Sequence, residues 1–138
     1  MFQLKFDWKK AFYLLLISIS SVASDIDYLC ENQPGVIAAS DCIAKKQEIE
    51  ERNLRASISL LLTSLENEQE YQKTQGFSID LVRSFSKAQS EWEQYRDSHC
   101  IFEGLISTST AWQGIQIEEC RLRETKKRIE YIEANYRY

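Results

Sequence analysis

Apolar residues in the middle of the chain recur at helical spacing, and long stretches contain no helix-breaking residue. Residues 36–75 include neither glycine nor proline, so a helix is predicted there, capped by Ser40 or Asp41 and stopped by Gly76. Its buried stripe repeats at i, i+4, i+7 and i+11 and comprises Leu54, Ile58, Leu61 and Leu65. Because such a helix is unusually long, a break near residues 63–67 is the alternative.

Two later segments show the same period. A second helix, capped by Ser78 and ending near residues 100–104, carries an apolar stripe of Leu81, Phe85, Ala88, Trp92, Tyr95 and His99. A loop at residues 103–110 then precedes a third helix, whose stripe is Ile115, Leu122, Thr125, Ile129, Ile132 and Tyr136. No segment alternates with the period of a strand, and there are only 4 Gly and 1 Pro. The chain is therefore predicted to be all-α, a small antiparallel bundle of about three helices.

The first residues have the pattern of a secretory signal peptide. Lys5, Lys9 and Lys10 precede an apolar stretch at residues 11–20, and small residues follow at the spacing that signal peptidase requires. Cleavage is expected after Ala23, which leaves residues 24–138 as a single helical domain. The alternative is an uncleaved anchor, but an apolar run of about 12 residues is short of the roughly 20 that span a bilayer. A periplasmic or secreted location is expected, with no membrane span after cleavage.

Export changes the interpretation of the four cysteines, because thiols in an oxidising compartment form disulfides. Four cysteines allow three pairings. We favour Cys30–Cys42, which lie on either side of a Pro-Gly turn, and Cys100–Cys120, which a helical hairpin brings together. Each bridge should stabilise the chain by about 3 kcal/mol in the chain-entropy model. A zinc site with His99 is the alternative, but the spacings that typify zinc ligands are missing.

Charge and residue types restrict the partners and the chemistry. Removing the leader takes three lysines and one aspartate from the 17 basic and 21 acidic residues, which leaves a net charge of −6. Such a chain is expected to bind a basic protein and neither nucleic acid nor an anionic membrane. His99 is the only histidine, and its neighbour Cys100 is expected to be oxidised, so no base and nucleophile pair is available. We therefore expect neither an enzyme nor a cofactor.

One motif stands out in the second predicted helix. Residues 88–100 read AQSEWEQYRDSHC, and a downstream Cys120 is followed by Thr125, Arg128 and Ile132. This pattern resembles the LprI-type lysozyme-inhibitor family, small exported helical domains with the signature A-Q-x-x-W-x-x-Y-R-D-x-x-C and a later T-x-x-R-x-x-x-L. The family places an asparagine where Arg55 stands and a Gly-Ser-rich turn where residues 106–110 read ISTST.

The signature residues themselves are interpreted first as a packing and bridging device. Trp92 and Tyr95 are expected in the core. The other residues assigned this structural role are Gln89, Arg96, Asp97, Thr125 and Arg128.

The resemblance implies an exported inhibitor that blocks a lysozyme or another peptidoglycan-cleaving enzyme. The alternatives are a periplasmic immunity protein against a cell-wall-degrading toxin and a structural envelope module with no enzyme target. A partner is expected to contact the exposed connections between helices. The candidate contacts are Phe77 in one connection and Glu103, Ser107, Thr108, Ser109, Thr110 and Trp112 in the other.

Overall fold

A computed structural model describes residue 30, residues 33–107 and residues 112–136. The chain divides into two compact units, Met1–Asn32 and Gln33–Tyr138, and the fold described below belongs to the second. In the described part of the chain, no helix is long and apolar enough to cross a membrane. The predicted leader, residues 1–23, lies outside the described residues.

The second unit consists of three helices, which confirms the prediction of a small all-α bundle. They are α1 (Val36–Thr74), α2 (Leu81–Ser107) and α3 (Gln113–Asn135). α3 packs mainly against α1 and secondly against α2, whereas α1 and α2 touch each other least. The third helix therefore holds the other two together.

Helix α1 is longer than its sequence pattern indicated. It begins at Val36, after Gly35 at φ 99°, rather than at Ser40 or Asp41. Gly35 adopts the left-handed conformation that favours glycine, and its carbonyl accepts the first helical hydrogen bond from Ala39 at 3.1 Å. The helix then runs for 39 residues without the break considered near residues 63–67.

Helix α2 begins and ends later than predicted. Asp80, not Ser78, caps it, because the Asp80 carboxylate accepts the backbone N–H of Arg83 at 3.0 Å. The helix continues to Ser107, so residues 103–107, which the sequence placed in a loop, are helical. Gly104 does not end the helix. Its role is in packing, because a Cβ at this position would meet the side chain of Ile117 on α3. It allows the two helices to approach closely.

Helix α3 begins at Gln113, and Trp112 precedes it without any side-chain capping hydrogen bond. The caps proposed for this helix, Thr108, Ser109 and Thr110, lie outside the described residues. The predicted stripe of α3 is largely confirmed. Its buried residues are Ile115, Cys120, Leu122, Thr125 and Ile132.

The apolar core lies between α1 and α3 and is completed by the start of α2. Its buried members are Leu54, Leu61, Leu65 and Ile132. Partly buried side chains surround them, namely Ile58, Leu81, Val82, Phe85, Trp92, Ile129 and Tyr136. The stripe predicted for α1 is thus the stripe that α1 buries.

The buried face of α2 differs from the predicted stripe. Tyr95, expected in the core, is 60% exposed, and Ala88 is exposed as well. The residues that α2 buries instead are Gln89, Arg96, Cys100 and Gly104. The predicted stripe was wrong in part because it followed the apolar side chains, whereas Gln89 and Arg96 find hydrogen-bond partners inside the bundle.

Candidate functional site

A buried arginine at the middle of α2 connects all three helices. Arg96 is 8% exposed, and its guanidinium donates to the Glu51 carboxylate of α1 at 2.5 Å and to the Thr125 hydroxyl of α3 at 2.9 Å. Thr125 is completely buried and lies 3.5 Å from the same carboxylate. We call Glu51, Arg96 and Thr125 the polar centre. Each of its members comes from a different helix, so the centre fixes the arrangement of the bundle.

Further side chains complete the hydrogen bonding of the polar centre. Gln47, one turn before Glu51, donates to its carboxylate at 2.9 Å. Asp97 accepts from the Arg96 Nε at 3.1 Å and lies 3.4 Å from Arg121 of α3. Buried charges of this kind are tolerated only when they are paired and hydrogen-bonded, and here both conditions are met for Arg96.

Trp92 lies between two arginines on the same side of the bundle. The guanidinium carbons of Arg96 and Arg128 are 5.2 and 5.4 Å from its ring centroid, which is within the range of cation–π attraction. Arg128 also donates to the buried Gln89 side chain at 3.0 Å. Gln89 in turn donates to Glu93 at 3.1 Å. The signature residues of α2 are thus joined to α3 through Arg128.

The structure therefore brings together most residues assigned to the structural motif. Gln89, Trp92, Arg96, Asp97, Thr125 and Arg128 form one connected set. Tyr95 is the exception, because its ring stacks on His99 outside the core with centroids 5.5 Å apart. Glu51 is the member that sequence reasoning missed. It is one of several glutamates on α1, and only the fold shows that it faces an arginine 45 residues away.

A disulfide lies one turn beyond the polar centre. Cys100 of α2 and Cys120 of α3 are bonded, their Cα atoms are 5.4 Å apart, and neither is accessible to solvent. Cys30 and Cys42 are also disulfide-bonded, so no cysteine of the chain is free. The bundle is therefore disulfide-stapled, as predicted.

In the described part of the chain, the cluster of possible metal ligands does not fit a metal site. His99, Glu103 and Cys120 bring three possible ligand atoms within 4.8 Å of one another. The Cys120 sulfur is held in the disulfide, so it cannot act as a thiolate ligand. Glu103 is already bound to Arg123 through two contacts of 2.8 Å. Together, these contacts leave His99 without the partners that a zinc ion requires.

Ionisable side chains line the seam between α2 and α3. His99 lies 3.5 Å from Glu103, which binds Arg123. The hydrogen bond with Glu103 is the main cause that raises the pKa of Arg123. Farther along α3, burial of the Glu124 carboxyl opposes ionisation, but the hydrogen bond from Lys127 at 2.9 Å and the nearby positive charges of Lys127 and Arg123 together outweigh it and lower the pKa of Glu124. These groups neutralise one another locally.

One groove lies between the parallel helices α1 and α3, and its volume is about 570 Å³. Leu60, Leu61, Ile132 and Tyr136 give it an apolar wall, and Ser57, Ser64 and Glu133 line the remainder. Hydrolysis of a glycosidic bond by general acid catalysis requires two carboxyl groups at a set separation. The lining of this groove supplies a single carboxylate, that of Glu133, which accepts a hydrogen bond from Ser57 at 3.3 Å.

The candidate partner contacts are divided between the two ends of the bundle. Phe77 is exposed in the connection between α1 and α2, whereas Trp112 is exposed beside the connection between α2 and α3. Glu103 is half-buried and Ser107 is the last residue of α2. Thr108, Ser109 and Thr110 lie outside the described residues. The structure therefore does not unite these residues into one surface.

The connection between α1 and α2 has a well-defined backbone. Gly76, at φ 85°, donates to the carbonyl of Lys73 at 3.0 Å, and Phe77 donates to the carbonyl of Gln72 at 3.0 Å. These two bonds form a Schellman motif, which fixes the chain as it leaves the helix. Phe77 and the nearby Tyr71 and Ile79 all remain exposed. An aromatic side chain is thus presented to solvent on a rigid turn.

Comparison with known proteins assigns most of the chain to one family. The family model of lysozyme inhibitor LprI matches residues 30–132. No curated protein matches the chain, and no solved structure does. The match includes α1, α2, all but the last three residues of α3 and all four cysteines.

Proposed function

This chain belongs to the LprI family of lysozyme inhibitors, and from that premise we propose that it binds and blocks a lysozyme or another peptidoglycan-cleaving enzyme outside the cytoplasm. The observation that carries the proposal is the family match over residues 30–132. The action is one of binding, without a reaction or a cofactor of its own. A partner enzyme would be inhibited because the bundle covers its substrate cleft.

The interior of the bundle supports a binding role. Arg96, Thr125 and Gln89 are buried and bonded within the chain, so they act as scaffold and leave recognition to exposed residues. A scaffold held by a disulfide and a buried ion pair loses little conformational entropy when it binds. Such preorganisation favours tight association from a small contact surface.

Charge supports a basic target. We propose that export removes residues 1–23 and that the remaining chain carries a net charge of −6. Opposite net charges accelerate association and favour the correct partner. Glu66 and Glu68, near the exposed Tyr71 and Phe77, add to this acidic character at one end of the bundle.

We propose the two helix connections as the contacts with the enzyme. Aromatic residues are enriched among those that dominate binding energy, and each connection exposes one: Phe77 at one end and Trp112 at the other. The remaining proposed contacts are Glu103 and Ser107, in the last turns of α2, and Thr108, Ser109 and Thr110, which follow in the second connection. Since the two ends lie far apart along the helices, a single cleft would accept only one of them.

Lysis of a cell-wall suspension tests this function. The oxidised chain is added in molar excess to a basic lysozyme, at low and at moderate salt, and the loss of turbidity is followed. We expect lysis to slow, and to slow less at moderate salt because screening weakens the attraction between the proteins. Unchanged lysis at both salt concentrations would reject inhibition of that lysozyme.

Alanine variants of the two aromatic residues identify the end that binds. Phe77→Ala and Trp112→Ala are compared with Leu60→Ala, which removes a still more exposed apolar side chain from the side of α1. One of the first two should weaken inhibition by about tenfold or more, as expected for a residue at the centre of an interface. Equal inhibition by all three variants would remove both connections from the contact surface.

The proposed export is tested separately. The chain is expressed with its first 23 residues in a bacterium, and the mass of the periplasmic product is determined. We expect a product that begins at Ser24 and contains no free thiol, because both disulfides form outside the cytoplasm. A product that retains the leader, or that stays in the cytoplasm, would contradict the proposed location.

A further inference from the structure

The outer face of α2 carries a row of exposed apolar side chains that no part of the described chain covers. Tyr95, Phe102 and Ile106 are 60%, 61% and 67% exposed, and half-exposed His99 lies between the first two. These four residues follow the spacing i, i+4, i+7 and i+11, so they form a straight row along one helix face. Leu105, 60% exposed, lies beside it. We call these five residues the α2 stripe.

The helix under the stripe is held firmly from behind. Cys100, on the opposite side of α2, is bonded to Cys120 of α3. Arg96 is bonded to both other helices. The stripe therefore cannot turn inward to bury its side chains without breaking the disulfide or the polar centre. It remains a fixed apolar surface.

The exposed apolar area of the α2 stripe favours a binding partner. A fully exposed large apolar side chain offers roughly 150–250 Å², so Tyr95, Phe102, Leu105 and Ile106 together leave on the order of 500 Å² of apolar surface in water. This area is within the range of the largest apolar patches on monomeric proteins, which are often functional. Two such stripes placed face to face would bury about 1,000 Å², which is the lower limit for a specific protein interface.

We propose that the α2 stripe is the interface of a homodimer in which two copies of α2 pack antiparallel around a twofold axis. An isologous interface needs a surface that is complementary to itself. In this arrangement the centre of the row lies between His99 and Phe102, so each His99 faces Phe102 of the partner subunit and each Tyr95 faces Ile106 of the partner subunit. A row of this length on a straight helix suits packing against a second helix.

The charges beside the stripe permit this pairing. The exposed Glu91 lies 3.7 Å from Lys87, and Glu103 binds Arg123 at 2.8 Å. Although the chain as a whole is acidic, the groups that flank the stripe are thus neutralised in pairs. Two copies would not bring unpaired like charges together, whereas a basic enzyme would find no excess of negative charge here.

Sedimentation equilibrium of the oxidised full chain tests the proposal. We expect a monomer–dimer equilibrium with a dissociation constant in roughly the micromolar range, given the small area. Phe102→Glu should weaken the dimer by at least about tenfold, because it places a charge at the centre of the interface. Leu60→Glu is the matched control: Leu60 is 76% exposed on α1, and its replacement should leave the dimer unchanged. Far-UV circular dichroism verifies that both variants are folded.

A charge pair tests the antiparallel register. Tyr95→Lys and Ile106→Glu should each weaken the dimer, and the double variant should regain most of the lost affinity because opposite charges then face each other across the axis. The two positions are eleven residues apart on one helix, too far for the charges to pair within a subunit. Failure of the double variant to recover would reject this register.

Two results would overturn the proposal as a whole. The first is a wild-type chain that stays monomeric at concentrations above about 100 µM, well beyond the range of such weak interfaces. The second is a monomeric wild-type chain whose Phe102→Glu variant has lost inhibition of the hydrolase. That result would assign the stripe to the enzyme contact instead. The inhibition assay with wild-type chain is independent of both, so failure of the dimer leaves the proposed function standing.

Discussion

The two halves of the bundle are stabilised in different ways. Near the connection between α1 and α2, the buried side chains are aliphatic, with Leu61, Leu65 and Ile132 packed together. Toward the connection between α2 and α3, the buried side chains include Arg96 and Thr125, followed by the Cys100–Cys120 disulfide. Apolar packing depends on volume and tolerates exchange among similar side chains. A buried hydrogen-bonded charge depends on each particular partner, so its residues are far less exchangeable.

This difference bears on the expected signature residues of α2. Gln89, Arg96 and Asp97 belong to the half that depends on specific partners, and Trp92 joins that half to the aliphatic core. We propose that the signature residues build the scaffold. Recognition of an enzyme is left to exposed residues, which a packing motif does not specify. This division between buried signature and exposed contacts is the central claim.

The largest effect is expected when one partner is removed from the polar centre. Arg96→Ala leaves the Glu51 carboxylate without its cation and should lower the free energy of unfolding by about 4 kcal/mol. Arg52→Ala is the control, because Arg52 forms an exposed ion pair with Glu48 and should cost less than about 0.5 kcal/mol. Urea denaturation measures both. Equal effects of the two variants would show that the polar centre does not stabilise the bundle.

Removing the disulfide should have the next largest effect. Cys100→Ala combined with Cys120→Ala opens a loop with a sequence separation of 20, and the free energy of unfolding should fall by about 3 kcal/mol. Because both sulfurs are inaccessible, a mild reductant should leave the native bridge intact until the chain unfolds. Rapid reduction of the folded chain would contradict this burial.

The aliphatic half should respond to volume rather than to identity. Leu61→Ala removes buried methyl groups and should cost about 2.5 kcal/mol, whereas Leu61→Met keeps the volume and should cost less than about 1.5 kcal/mol. Thermal unfolding followed by circular dichroism gives both values. A methionine as harmful as the alanine would mean that this half is as specific as the polar centre.

The smallest effect concerns pH. The pKa of Glu124 lies below its ordinary value of 4.5, so its carboxylate binds protons less readily in the folded chain than in the unfolded chain. It therefore adds stability above pH 4.5 that is lost as the pH falls through the lowered pKa. Glu124→Gln should make the loss of stability below pH 4.5 slightly less steep. Unfolding curves measured between pH 2 and pH 7 provide the test. If the free energy of unfolding falls with pH as steeply in the variant as in the wild type, the lowered pKa is contradicted.

Much of the fold could be predicted because periodicity reports apolar burial directly. The stripe of α1 from Leu54 to Leu65 was predicted correctly for this reason. The buried face of α2 was not, since Gln89 and Arg96 look like surface residues until their partners are known. Tyr95 was predicted to lie in the core because its ring is largely apolar. It lies outside because α2 turns inward the face that carries Gln89 and Arg96. Two helix ends were mispredicted at glycines. Gly35 precedes the start of α1. Gly104 lies within α2 and does not end it.

The candidate site was harder to predict than the fold. Glu51 faces Arg96 across 45 residues of sequence, and no local pattern indicates such a pairing. The exposed row of Tyr95, Phe102 and Ile106 was also hidden, because part of it was interpreted as core. Both features depend on which face of α2 turns inward, and that choice is made by contacts distant in sequence.

Inhibition by the Arg96→Lys variant tests the central claim most directly. Arg96 is 8% exposed and cannot reach a bound enzyme, and lysine keeps its charge while losing the double contact to Glu51 and Thr125. At a temperature where circular dichroism shows the variant folded, we expect it to inhibit the hydrolase within about twofold of wild type. A folded variant that inhibits tenfold less would show that the signature takes part in recognition itself.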